Sequence, residues 1–374
     1  MICNPLRLRS QFGSFSADAL PIPSIGRRNC ATIRMFLRSR AFAARLSYPP
    51  WSSRRPAHKS TGIPITRSWS SQTQSKMPFE GVYTALVTPF TADGSAVDYA
   101  SLEKLVEWQI QEGIDGLVPM GSTGENTLVS DEERLRVIET VVQCANGRVP
   151  VIAGTGALST DGAVNLAREA KRLGADACLV IAPPYVRASQ RGLYEHFRRV
   201  AGVGLPVMIY DNPNRSGVAL TPQTIAELAK VPGIAAIKDA TGSLDHTVEI
   251  MALCDLPVIS ASDNLALPMM AVGAVGVMSI LSNAAPSRVL AITRAVQKGD
   301  FEAARKAHKA NVSKLRRQCV LLANALFVEP SPQPIKKAME LLGHCSASVR
   351  APLTQCSAET EELLVQQLKA NKLL

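Results

Sequence analysis

Between residues 82 and 280, eight short runs rich in β-branched and apolar residues alternate with longer segments of helical pattern, and this alternation constrains the fold more than any other feature of the chain. The runs cover 82–90, 116–121, 150–155, 177–183, 206–212, 234–240, 257–262 and 276–280. Helix punctuation separates them. Ser130-Asp131-Glu132-Glu133 has the form of a capping box, and Thr221-Pro222 places an N-cap before a proline at the first helical position. Eight strand-helix units in sequence predict a closed (β/α)8 TIM barrel of the α/β class rather than an open doubly wound sheet. After Pro286 the pattern is helical only, over 287–297, 301–327, 333–342 and 358–372. The expected organisation is a leader over 1–76, the barrel over 77–298 and a C-terminal helical region over 299–374.

The formal charge of +10 would suggest a nucleic-acid or membrane partner if it were spread over the fold. It is confined to the leader. Residues 1–76 hold eleven Arg and two Lys against one acid, Asp18, whereas 77–374 hold 28 basic and 30 acidic residues. Nucleic-acid binding therefore loses its support, and no apolar run is long enough to span a bilayer. An Arg-rich, Ser-rich, acid-poor leader has the composition of an organellar transit peptide. Arg67-Ser68-Trp69-Ser70-Ser71 is similar to a mitochondrial processing site, so the mitochondrion is preferred over the plastid. The alternative is that Met77 is the initiator.

The cysteines form no Cys-x-x-Cys pair, and His58, His196, His246, His308 and His344 are dispersed, so no metal site is expected. In a barrel the reacting groups come from the C-terminal ends of the strands. Four ends carry chemistry: Gly121-Ser122-Thr123-Gly124-Glu125-Asn126, Ala182-Pro183-Pro184-Tyr185, the stretch Tyr210 to Gly217 that contains Arg215, and Lys238-Asp239-Ala240-Thr241-Gly242. Lys238 follows the apolar run Ile234-Ala235-Ala236-Ile237. An ammonium at the top of an apolar barrel is desolvated, its pKa falls, and the neutral amine can attack a ketone. The same lysine could instead be ion-paired to Asp239 or Glu125, and sequence alone leaves both readings open. The Gly121–Gly124 turn offers N–H groups and hydroxyls to a small carboxylate. Tyr210 could relay protons, and Arg215 could hold a second carboxylate.

Taken together, these strand ends resemble the dihydrodipicolinate synthase and N-acetylneuraminate lyase family of class I pyruvate lyases. Ala153-Gly154-Thr155-Gly156, Ser189-Gln190-Arg191-Gly192-Leu193-Tyr194 and Leu326-Phe327-Val328-Glu329-Pro330-Ser331-Pro332 extend the resemblance over about residues 78–343. Arg215 resembles the synthase branch, where this residue meets the carboxylate of L-aspartate 4-semialdehyde. The resemblance implies condensation of that aldehyde with pyruvate on the diaminopimelate route to lysine. Lys238 would form the imine, with no other cofactor required, and Tyr210 would move protons. Thr123 and Tyr185 would complete a hydroxyl relay, with Tyr185 supplied by the neighbouring subunit of a homo-oligomer. Gly121, Ser122, Thr123, Arg215 and Met278 would bind substrate. Asp211 stands where the family usually has Asn, Pro184 where a first tyrosine precedes Tyr185, and Ala261 where a glycine lines the site. Two other readings remain: a mitochondrial 4-hydroxy-2-oxoglutarate aldolase, favoured by the leader and opposed by Arg215, and a non-catalytic barrel acting as a binding protein.

Overall fold

The computed structural model of the protein describes residues 79–309 and 318–374. The leader expected over 1–76 and its processing site lie outside the described residues. All eight runs become strands: β1 Gly81–Ala85, β2 Gly116–Val118, β3 Ile152–Gly154, β4 Ala177–Ile181, β5 Val207–Asp211, β6 Ile234–Asp239, β7 Val258–Ser260 and β8 Gly276–Ser279. They pair in parallel in the order β2-β1-β8-β7-β6-β5-β4-β3. A parallel bridge between Leu117 and Val151 joins the two ends, so the sheet closes into a (β/α)8 barrel. At this seam the Gly154 N–H donates to the Pro119 carbonyl at 2.9 Å. A side chain on Gly154 would overlap the Met120 carbonyl, so only glycine lets β3 approach the end of β2 this closely.

Helices α1 Tyr99–Gln111, α2 Asp131–Ala145, α3 Thr160–Arg172, α4 Gln190–Ala201, α5 Pro213–Ser216, α6 Pro222–Leu228, α7 Leu244–Leu253, α8 Ala266–Ala271 and α9 Pro286–Gln297 follow the strands. Both expected caps are present. The Glu133 N–H donates to Ser130 Oγ at 3.1 Å while the Ser130 N–H donates to Glu133 Oε2 at 2.9 Å. The Thr224 N–H donates to Thr221 Oγ1, and Pro222 opens α6. Helices α10 Phe301–Lys309, α11 Gln318–Ala325, α12 Gln333–Leu341 and α13 Ala358–Ala370 form the C-terminal region. No helix among the described residues is long and apolar enough to cross a membrane.

Two boundaries differ most from expectation, the others by three residues or fewer. The first run was expected to reach Phe90 but ends as a strand at Ala85: the Leu86 N–H still reaches the Val118 carbonyl at 3.1 Å, but the Val87 N–H goes to Asn283 Oδ1 at 3.1 Å and Pro89 has no N–H to give. Phe90 instead pairs antiparallel with Val97 in an isolated bridge. The helix expected over 301–327 is described as α10 and α11, and the residues between them lie outside the described ones.

Strand alternation sorts the core into two layers. Leu179, Met208, Ile259 and Met278 fill the barrel interior, while Val180, Val207, Ile209 and Ile237 face the helices. Each such side chain contributes roughly 1.5–3 kcal/mol when fully buried. The interior layer also removes water from beneath the strand ends on which the candidate site stands.

Candidate active site

Tyr210 on β5 and Lys238 on β6 are register partners, so the ladder itself sets them side by side. Both project into the barrel above Leu179, Met208 and Ile259, and each is only 7% exposed. Lys238 Nζ lies 4.3 Å from the centroid of the Tyr210 ring. Burial pushes the lysine amine below its usual pKa, and the Arg215 charge adds to that effect, while Tyr210 and Asp263 oppose it. Burial pushes the Tyr210 phenol up, but Lys238, Asn212, Arg215 and Ser122 outweigh it and leave the phenol below its usual value.

The two carboxylates that the sequence offered as ion-pair partners for Lys238 are engaged elsewhere. Asp239 accepts from Thr247 Oγ1 at 2.8 Å and from Thr241 Oγ1 at 2.7 Å, and it faces His246 Nδ1 at 3.4 Å. Glu125 accepts from Lys336 Nζ at 2.8 Å. The ion-pair reading of Lys238 therefore has no partner in either residue, and what remains is a desolvated amine beside a phenol.

A cavity of about 710 Å³ opens above this pair. Gly121, Ser122, Thr123, Arg215 and Met278, the residues named for substrate binding, all line it. Ser122–Gly124 forms one 3₁₀ turn, and Gly124 and Glu125 use their N–H groups to close it on Gly121 and Ser122. Ser122 acts on the Tyr210 phenol, and Thr123, the hydroxyl expected in the relay, lines the same cavity. Arg215 sits at the cavity mouth on α5, and its guanidinium donates to the Ser331 carbonyl at 3.2 Å. Tyr185 does not reach the cavity of its own chain: it is 92% exposed and held at φ 73°, a left-handed conformation rare for a bulky residue.

Two residues of the site were given no role at the sequence level. Asn212 Nδ2 donates to the Tyr210 hydroxyl at 2.8 Å. The signal was present, since a residue two positions along from Tyr210 returns to the same side of an extended chain. Asp263 accepts from Ser279 Oγ at 2.5 Å and from the Ile280 and Leu281 N–H groups at 3.1 Å, and its charge acts on Lys238. Nothing in its local sequence distinguishes it from a surface aspartate.

A buried lysine beside a tyrosine, at the C-terminal mouth of a parallel barrel, is the arrangement that an imine-forming lyase needs. Residues 78–371 match the model of the dihydrodipicolinate synthetase family, and the chain belongs to that family. It is 44% identical over 299 residues to the 4-hydroxy-tetrahydrodipicolinate synthase of Pelobacter propionicus, covering 79% of this chain and all of that one. Among solved structures, the dihydrodipicolinate synthase of Aquifex aeolicus aligns with a TM-score of 0.74 and 40% identity over 79% of this chain and 99% of its own. The chloride-inhibited dihydrodipicolinate synthase of Acinetobacter baumannii, complexed with pyruvate, aligns with a TM-score of 0.75 and 38% identity over the same shares of the two chains.

Proposed function

We propose that the chain is a 4-hydroxy-tetrahydrodipicolinate synthase that condenses pyruvate with L-aspartate 4-semialdehyde. The observation that carries this reading is the state of Lys238, buried and without a carboxylate partner while Asp239 and Glu125 are satisfied elsewhere. The neutral amine adds to the keto carbon of pyruvate and water leaves, giving an iminium that acts as an electron sink. A proton then leaves the pyruvate methyl group, and the resulting enamine carbon attacks the aldehyde carbon of the second substrate. Tyr210 is positioned to move these protons, its phenol being held by Asn212 and faced by Ser122. The amino group of the semialdehyde displaces Lys238 and closes the ring, so the cycle requires no cofactor beyond the lysine. The Gly121–Gly124 turn would take the pyruvate carboxylate and Arg215 that of the semialdehyde.

Exposure and positive φ at Tyr185 support a homo-oligomer in which a second copy covers this residue and completes its neighbour's site. The Arg-rich composition of residues 1–76 supports import into an organelle, the mitochondrion before the plastid.

The test supplies the enzyme with pyruvate and L-aspartate 4-semialdehyde, and separately with 4-hydroxy-2-oxoglutarate, and compares kcat/KM. The condensation is expected to dominate. Arg215→Met should lower kcat/KM for the semialdehyde by about a hundredfold, the order of a lost charge-assisted contact, while sparing pyruvate adduct formation. Turnover of 4-hydroxy-2-oxoglutarate alone would sink the proposal in favour of the aldolase.

A further inference from the structure

The turn that reads the substrate carboxylate is held from behind by a cluster that never touches the cavity. Thr88 Oγ1 donates to the Gly124 carbonyl at 2.7 Å. The next residue, Glu125, closes the turn in a left-handed conformation at φ 56°. Outside glycine this conformation costs roughly 1–2 kcal/mol, so the surroundings must hold it. Both of its carboxylate oxygens are used. Oε1 accepts from Lys336 Nζ at 2.8 Å and Oε2 from the Arg350 N–H at 3.0 Å. The Glu125 and Lys336 side chains are both at 0% exposure.

The donors are fixed in turn. Lys336 belongs to α12, and its Nζ stands 4.0 Å over the Phe90 ring. The Arg350 guanidinium lies 4.6 Å over the same ring and forks onto Glu133 of α2 with two bonds of 2.6 Å. The carbonyls of Gly94, Ser95 and Leu128 take its remaining donors at 3.2–3.3 Å.

Stability alone does not account for such a pair. Removing two charges from water costs several kcal/mol each, and apolar residues of similar volume often hold a fold as well or better. What an apolar pair cannot do is fix two oxygens in two directions, which stops the left-handed residue from turning and keeps the neighbouring N–H and hydroxyl groups aimed. We propose that Glu125, clamped by Lys336 and the Arg350 N–H, positions the Gly121–Gly124 turn for the keto-acid carboxylate. Glu125 and Lys336 are thus positioning residues for the first substrate, an inference that rests on the pyruvate reading above.

The test compares the wild-type enzyme with Glu125→Gln and with the double variant Glu125→Gln, Lys336→Met, which removes both charges together. Borohydride trapping of the Lys238 adduct against pyruvate concentration, KM for each substrate, and Tm are measured. The double variant is expected to keep a Tm near that of wild type, to need about tenfold more pyruvate for half-saturation, and to hold the semialdehyde KM within about threefold. Glu125→Gln alone, which keeps the shape and loses the charge, should raise the pyruvate requirement by about threefold; it decides the matter if the double variant does not fold. A pyruvate half-saturation within twofold of wild type, whether or not Tm falls, would overturn the positioning role. A wild-type enzyme that forms no adduct at all would overturn the pyruvate reading beneath it.

Discussion

Two adjacent rungs of the β5–β6 ladder carry ionisable pairs, and they are treated in opposite ways. Tyr210 and Lys238 form one rung and point into the barrel, while Asp211 and Asp239 form the next and point out towards the helices. The outer rung is fully engaged. Asp211 accepts from the Leu220 N–H with both oxygens at 3.2 Å, and Asp239 takes the hydroxyls of Thr241 and Thr247. Between the two carboxylates stands His246, whose ring nitrogens face Asp239 at 3.4 Å and the Leu220 carbonyl at 3.1 Å. Both neighbours are acceptors, so the imidazolium form satisfies both, and the hydrogen bond to Asp239 raises the His246 pKa. On the inner rung the lysine has an aromatic face and, among the described residues, no ion pair, with only the carboxylate charge of Asp263 acting on it from further off. One residue's shift along a strand thus separates charge that is spent on structure from charge kept available for chemistry.

The strongest challenge to this contrast is Lys238→Ala. It should abolish the borohydride-trappable pyruvate adduct and lower kcat/KM by at least about ten-thousandfold, since the nucleophile itself is gone. Its Tm should hold or rise, because an unpaired buried amine is removed. A variant that kept a tenth of the activity would break the contrast outright. Tyr210→Phe comes next. Loss of a positioned proton carrier should lower kcat by about 10²–10³-fold while the pyruvate adduct still forms, which rapid-quench trapping would show.

The smallest effect is expected on the outer rung, where Asp211→Asn restores the residue usual in the family. Burial pushes the Asp211 carboxyl up to about 7 from its ordinary 3.8, against the opposing hydrogen bond from Leu220. A carboxyl whose folded pKa lies above its unfolded value binds its proton more tightly when folded. It therefore withdraws stability as pH rises from near 4 through about 7. Asn carries no such penalty, so the Tm advantage of the variant over wild type should grow by a few degrees between about pH 5 and pH 8, with kcat within about threefold. A loss of activity as large as that of Tyr210→Phe would show that the outer rung takes part in the chemistry.

Much of this arrangement was legible in the chain. The strands announced themselves because a parallel barrel buries both faces and so demands continuous apolar runs. Lys238 stood out because it ends such a run, and Arg215 and the Gly121–Gly124 turn because polar residues cluster at strand ends. The overrun in β1 came from extending the ladder past Leu86, where the Val87 N–H is taken by the side chain of Asn283, a partner 196 positions away that the local sequence does not show. Which of the adjacent Ser122 and Thr123 hydroxyls meets Tyr210 was not legible, because the winding of a single turn decides it and composition does not report winding. Least legible was what silences Asp239 and Glu125 as partners for Lys238. That depends on His246, Thr247 and Lys336, whose roles only the folded chain reveals.

The bond between Glu125 and Lys336 joins residues 211 positions apart. During synthesis all eight strands leave the ribosome before Lys336 does, so a barrel that closes early holds a carboxylate with no ammonium to meet it. Arrival of α12 and the Arg350 segment then supplies the donors that both Glu125 oxygens accept from. Competence to bind a keto acid would thus be acquired after the barrel has formed, as a late step in the maturation of a nascent chain.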